Sequence, residues 1–150
     1  MKFFKEFTFS WLVVSLIFSL FLFFTSFFFF NVGDNPMQTI LYPIITGICL
    51  IIILLFYGMT TTIDAESITI SFGIGLVKKK INLDNIESVA GVQNPWYWGW
   101  GIRMIPNGTL YNISGSKGIE LKFKNTDKII RIGSKDPETL KSEIDNRSIN

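Results

Sequence analysis

Histidine is absent from this sequence, and cysteine occurs once. The first absence removes the side chain most used as a general base at neutral pH and as a metal ligand. The second leaves no intramolecular disulfide and no thiolate cluster; Cys49 lies inside an apolar run and reads as a packing residue. Charge is also missing over a long stretch. Between Phe7 and Met59 the only Asp, Glu, Lys or Arg is Asp34, whereas from Thr60 onward charges recur every few residues. The formal net charge is +2, which does not point to a nucleic-acid partner. Gly73-Ile74-Gly75 lacks the third glycine and following helix of a phosphate-binding loop. No pair of carboxylates stands in a catalytic motif, and Ser114 has no His or Lys at the spacing of a nucleophile set. The chain therefore reads as a non-enzyme, with no catalytic residue, metal or cofactor expected.

What replaces charge is hydrocarbon. Phe7 to Phe30 is uncharged for about 24 residues, or ~36 Å of helix, longer than the ~30 Å core of a bilayer. One end is almost all phenylalanine (Phe18, Phe21, Phe23, Phe24 and Phe27 to Phe30), which favours insertion about as leucine does. The run is too long for a signal peptide and lacks a small-x-small cleavage site. A short external loop at 31–38, with Gly33 and Pro36, forces an antiparallel second span over about 39–57. Pro43 falls in the first turn of that span, where a missing N–H costs little. Gly47 and Cys49 make a small-residue patch suited to contact with the first helix. Trp11, Tyr42 and Tyr57 suit the membrane interfaces. Lys2 and Lys5 precede the first span, the loop has no Lys or Arg, and Lys78, Lys79 and Lys80 follow the second. The positive-inside rule then gives a multi-pass cell-membrane protein with both termini and the soluble domain in the cytoplasm. Membrane lipids are thus the first expected partner.

Residues 1–59 form the membrane unit on this reading, and 60–150 a soluble domain of roughly 90 residues, enough for one small core. No Gly/Ser linker separates them, so the domain lies close to the headgroups. Its pattern has mostly period two. Ile68, Ile70 and Phe72 alternate with Ser67, Thr69 and Ser71; Ile119, Leu121 and Phe123 alternate with Glu120, Lys122 and Lys124. Such alternation predicts half-buried antiparallel strands. About seven are expected, over 60–64, 67–73, 76–83, 86–92, 101–106, 109–114 with 118–124 close behind, and 128–133. Asn107-Gly108 suits a tight hairpin. Asp136, Pro137 and Glu138 read as N-cap, first position and first turn of a final helix, and Leu140 with Ile144 as its apolar face.

Gly99-Trp100-Gly101-Ile102-Arg103, Gly108, Tyr111-Asn112-Ile113-Ser114-Gly115, Ile119-Glu120-Leu121, Arg131-Ile132-Gly133-Ser134 and Asp136-Pro137-Glu138 with Leu140 occur in that order. Together they resemble the signature of small bacterial PH-domain membrane proteins, over about residues 60–145. The resemblance implies an all-β PH-like barrel of about seven antiparallel strands closed by one C-terminal helix, carried on a transmembrane hairpin. The loop between the first two strands, Asp64-Ala65-Glu66, is acidic where phosphoinositide-binding PH domains are basic, so no phosphoinositide is expected in that mode.

Two residue sets are candidate sites. Trp96, Tyr97, Trp98 and Trp100, with Arg103 beside them, suit an aromatic patch for a protein partner or the membrane interface; the plainer reading is that Trp100 and one other ring fill the core. Lys78, Lys79 and Lys80 suit anionic lipid, although in a strand Lys79 faces away from the other two, and lysines also protect an edge strand from pairing. Arg103 and Glu120 are candidates for an ion pair across the sheet. The expected function is a membrane-anchored, non-catalytic binding or scaffold module acting through protein–protein contact or self-association. The alternatives are an accessory subunit of a transport or envelope complex and a module contacting anionic lipid.

Overall fold

The computed structural model describes residues 4–30 and 40–148. The expected loop at 31–38 and Lys2 lie outside the described residues. The chain runs β1 (Phe4–Phe9), α1 (Trp11–Phe30), α2 (Leu41–Phe56), β2 (Gly58–Ile63), β3 (Ser67–Phe72), β4 (Val77–Asn82), β5 (Ile86–Gln93), β6 (Gly101–Ile105), β7 (Gly108–Asn112), β8 (Lys117–Phe123), β9 (Ile129–Gly133) and α3 (Pro137–Ser148). Short 3-10 turns occupy Leu83–Asn85 and Trp96–Trp98.

The single PH-like barrel does not form. The strands make two sheets, one ordered β1-β2-β3-β4 and one ordered β5-β8-β9-β7-β6, and neither closes into a barrel. Nor is the second sheet wholly antiparallel, because β7 and β9 run parallel. The strands read over 109–114 and 118–124 are not neighbours; β9 lies between them. Period-two alternation marks where a strand is, but it carries no information about which strand lies beside it. The two sheets share one core. Phe72, Ile63, Ile68 and Ile70 come from the first, Ile119, Leu121 and Ile132 from the second. Leu140 and Ile144 of α3 complete it, both fully buried. Asp136 caps α3, its Oδ1 accepting from the Thr139 N–H at 3.1 Å.

A strand also precedes the first helix. The apolar run begins at Phe7, yet Phe7 to Phe9 belong to β1, which pairs antiparallel with β2 from Phe4↔Ile63 to Phe9↔Gly58. Residues on both sides of the apolar segment therefore build one sheet. The domain limit is not at residue 59, and the first helix starts at Trp11 rather than residue 7. Ser10 makes the turn: its N–H donates to Tyr57 O (2.9 Å), and its Oγ donates to Ile113 O (3.0 Å) and accepts from Val13 N–H (3.4 Å). The two helices thus spring from a single β-ladder with no slack between.

Twenty residues in α1 give ~30 Å, one hydrocarbon core. Among the described residues α1 is the one helix long and apolar enough to cross a membrane, while α2 is equally apolar but has 16 residues. None of α1 is buried, and the hydroxyls of Ser15, Thr25 and Ser26 bond back within the helix, as Thr25 Oγ1 does to Phe21 O at 2.8 Å. Toward the far end Tyr42 stacks on Phe28 with centroids 4.4 Å apart. Cys49 is the buried residue of α2. Gly47 plays no part in close helix approach, since a Cβ there would meet nothing within 4 Å.

Candidate interaction site

At the end of β5, Asn94 turns the chain inward, its N–H donating to Ser116 O at 2.6 Å. Pro95 then starts the Trp96–Trp98 turn, and Gly99, at φ 70 and ψ −160, releases the chain into β6. That backbone conformation is open essentially to glycine alone. The turn divides the aromatic rings. Trp96 is 84 % exposed and Tyr97 is exposed beside it, edge-to-face at 6.2 Å. Trp98 and Trp100 are half-buried.

Arg131 of β9 holds the inner side of this turn. Its guanidinium carbon lies 4.9 Å from the Trp98 ring centre, its Nε donates to Glu120 Oε2 at 2.7 Å, and its Nη1 donates to Asn94 Oδ1 at 3.3 Å. The side chains of Arg131 and Glu120 are both largely buried, so the pair is shielded from the screening that weakens surface ion pairs. Asn94 is buried, and its Nδ2 finds no partner among the described residues. Glu120 was expected to pair with Arg103 instead. The strand order prevents it: β6 lies three strands from β8, roughly 14 Å at 4.8 Å per strand. Arg103 is exposed and donates Nε to Trp100 O at 3.2 Å. The alternation of β8 and β9 does not by itself pair Glu120 with Arg131; only the β8–β9 register, Glu120↔Arg131, brings them together.

The strand leaving this turn, β6, is an edge of its sheet. Its Ile102 and Met104 are exposed, the latter 94 %, on the face that also carries Tyr111 and Ile132. Its first residues face the base of the hairpin across a cleft of about 290 Å3 lined by Val13, Ile52, Phe56, Trp100, Ile102 and Ile113. Tyr111, two residues before Ile113, has its hydroxyl pKa raised by burial.

The lysine triplet lies elsewhere, on β4, an edge of the other sheet. All three side chains are exposed. Lys79 is in register with buried Ile70 and borders a cleft between the sheets of about 400 Å3, together with Lys124, Lys128, Tyr111 and Phe123. Lys78 and Lys80 are in register with Ser71 and Thr69 on the opposite face. The aromatic set and the lysine set are therefore two separate surfaces. No group of three potential metal ligands occurs among the described residues.

No family model matches this chain, and no curated protein matches its sequence. Nothing in the two-sheet fold identifies a PH domain.

Proposed function

We propose that this chain is a membrane-anchored, non-catalytic binding module whose partner-facing surface is the Trp96–Trp98 turn with the adjoining β6 edge. The helical hairpin is its anchor, and the β domain with both termini lies on the cytoplasmic side of the cell membrane. Support for the anchor is the uncharged, unburied surface of α1, which suits lipid and not water.

The observation that carries the binding reading is that Trp96 and Tyr97 on the turn, and Ile102 and Met104 on the edge strand it leads into, are all exposed. Large rings exposed beside unpaired backbone groups suit recognition by strand addition. The edge supplies main-chain hydrogen bonds, and the rings supply the apolar anchors that dominate such interfaces. The occupant is an extended segment of another membrane protein or the same edge of a second copy. Arg131 acts by positioning, since it braces Trp98 and Asn94 beneath the exposed rings.

The test is photo-crosslinking in native membranes from Trp96 and from Met104, with Thr126 as a control position. The expected result is a discrete protein adduct from both sites and none from Thr126. Adducts to lipid alone from Trp96 and Met104 would show that the rings serve the bilayer and not a protein.

A further inference from the structure

We propose that the outer face of the four-stranded sheet is a docking surface for anionic phospholipid headgroups, held at the bilayer by the β3–β4 turn. This rests on the reading of α1 and α2 as membrane-embedded.

Depth comes first. The turn Gly73-Ile74-Gly75-Leu76 is bonded to the end of α2 and the start of β2: Ile74 N–H donates to Leu54 O at 3.1 Å, and Gly73 N–H donates to Gly58 O at 2.8 Å. Leu54 is inside the last turn of α2, so the tip of the β3–β4 turn is level with the helix and not beyond it. The turn carries Ile74, 57 % exposed, and Leu76, 74 % exposed. A turn facing water gains nothing from two such side chains, whereas at the leaflet boundary both are buried in acyl chains.

The strand register then places the charges. Counting away from the hairpin and beyond Phe9 and Gly58, one outward-facing row is Phe7, Thr60, Ser71 and Lys78, and the next is Lys5, Thr62, Thr69 and Lys80. Neither row contains a carboxylate. Glu6, the nearest acid on β1, belongs to the opposite face and is bonded to Ser134 Oγ and Lys135 N–H. Successive outward rows are ~7 Å apart along a strand, and the headgroup layer is about as thick. Both rows thus meet the phosphate region when Ile74 and Leu76 sit in the acyl boundary. An open cleft of about 540 Å3 on this face is lined by Lys5, Tyr57, Thr60, Thr62, Ser71 and Lys78. Ammonium groups and hydroxyls can all donate to the oxygens of a phosphodiester. Lys5 is separated from Lys78 and Lys80 by about half of the chain, yet the β1–β2 ladder brings it to the same face, while Lys79, between those two in sequence, is excluded.

The full chain is reconstituted in vesicles of equimolar phosphatidylcholine and phosphatidylglycerol, and spin-labelled versions of each lipid report their relative association with the protein. Preference for phosphatidylglycerol is expected to be roughly fivefold or more, given about a kilocalorie per mole for each lysine at an anionic surface. Replacing Lys5, Lys78 and Lys80 together by Gln removes that preference, while Lys79→Gln leaves it. Equal loss in both variants overturns the proposal, because it means diffuse charge and not this face. Retention in the triple variant overturns it as well, and so does abolition of the preference by millimolar glycerol phosphate, which means a site for free phosphate esters. A probe on Leu76→Cys in a Cys49→Ser background is expected to be quenched by lipids brominated near the headgroup; quenching by aqueous iodide alone contradicts the depth assignment. Recovery of the protein in the alkaline wash of the vesicles instead overturns the anchoring itself, a separate failure.

Discussion

Phe30 and Phe72 are the same side chain in opposite surroundings. Phe30, at the end of α1, is 78 % exposed, while Phe72, at the end of β3, is 1 % exposed and packs against Phe56 and Tyr111. In α1 the apolar residues cover the whole circumference; one side meets α2, as Phe28 does Tyr42, and the rest is exposed, so most of them specify a medium and not a set of neighbours. In the β domain the apolar residues occupy alternate positions and face one another, so each has particular partners. One consequence is redundancy. A side chain in α1 is replaceable by another of similar hydrophobicity, whereas one in the shared core or at the junction is not.

The junction is where the largest effect is expected. Gly73 has φ +51, and a Cβ there would overlap the Leu54 carbonyl. Gly73→Val combines left-handed strain with a backbone clash, for a loss of roughly 3 kcal/mol or more. Thermal unfolding in detergent micelles, followed by tryptophan fluorescence, measures it. Leu140→Ala opens a cavity under α3 and is expected to cost roughly 2–4 kcal/mol in the same assay. Arg131→Met leaves Glu120 without its cation and uncovers Trp98; a loss of roughly 1–3 kcal/mol is expected, together with a change in tryptophan emission that Arg103→Met does not produce.

Asp136 has a smaller, pH-dependent effect. The Thr139 hydroxyl, followed by the Thr139 backbone N–H, holds its carboxyl below the ordinary carboxylate range. A depressed carboxylate pKa stabilises the fold at pH above the unfolded value, and that contribution disappears as pH falls through the folded value. Asp136→Asn retains a good cap residue but cannot titrate. Its unfolding midpoint should therefore fall less steeply than that of the parent protein on acidification. The smallest effect is expected in α1, where Phe23→Leu should change stability by no more than about 0.5 kcal/mol. A loss as large as that of Leu140→Ala would show that α1 has particular neighbours after all.

The same contrast explains what could be read from the sequence. Strand limits from β2 to β9 fall within two residues of those expected, and α3 starts where Asp136 and Pro137 signal it. Alternation and cap chemistry are local, so one segment suffices to reveal them. Pairing is not local: the strands divide into two unclosed sheets, which rules out the barrel, and β9 and β7 lie between β8 and β6, which rules out the Arg103–Glu120 pair. β1 was hidden for a different reason. Phe7, Thr8 and Phe9 continue without charge into α1, and only their ladder with β2 distinguishes strand from helix. The aromatic segment was visible as composition, but the division between exposed Trp96 and braced Trp98 depends on Arg131, which comes from a distant strand.

On the proposed reading, α1 and α2 lie in lipid with the β domain seated at one surface. In a Cys49→Ser background, single substitutions Leu16→Cys on α1, Ile51→Cys on α2 and Thr126→Cys on the β domain are treated with a membrane-impermeant maleimide in open membrane sheets. All three positions are exposed on the isolated chain. Rapid labelling is expected at position 126, and labelling at 16 and 51 only after detergent is added. Equal labelling at all three positions in intact sheets would contradict it.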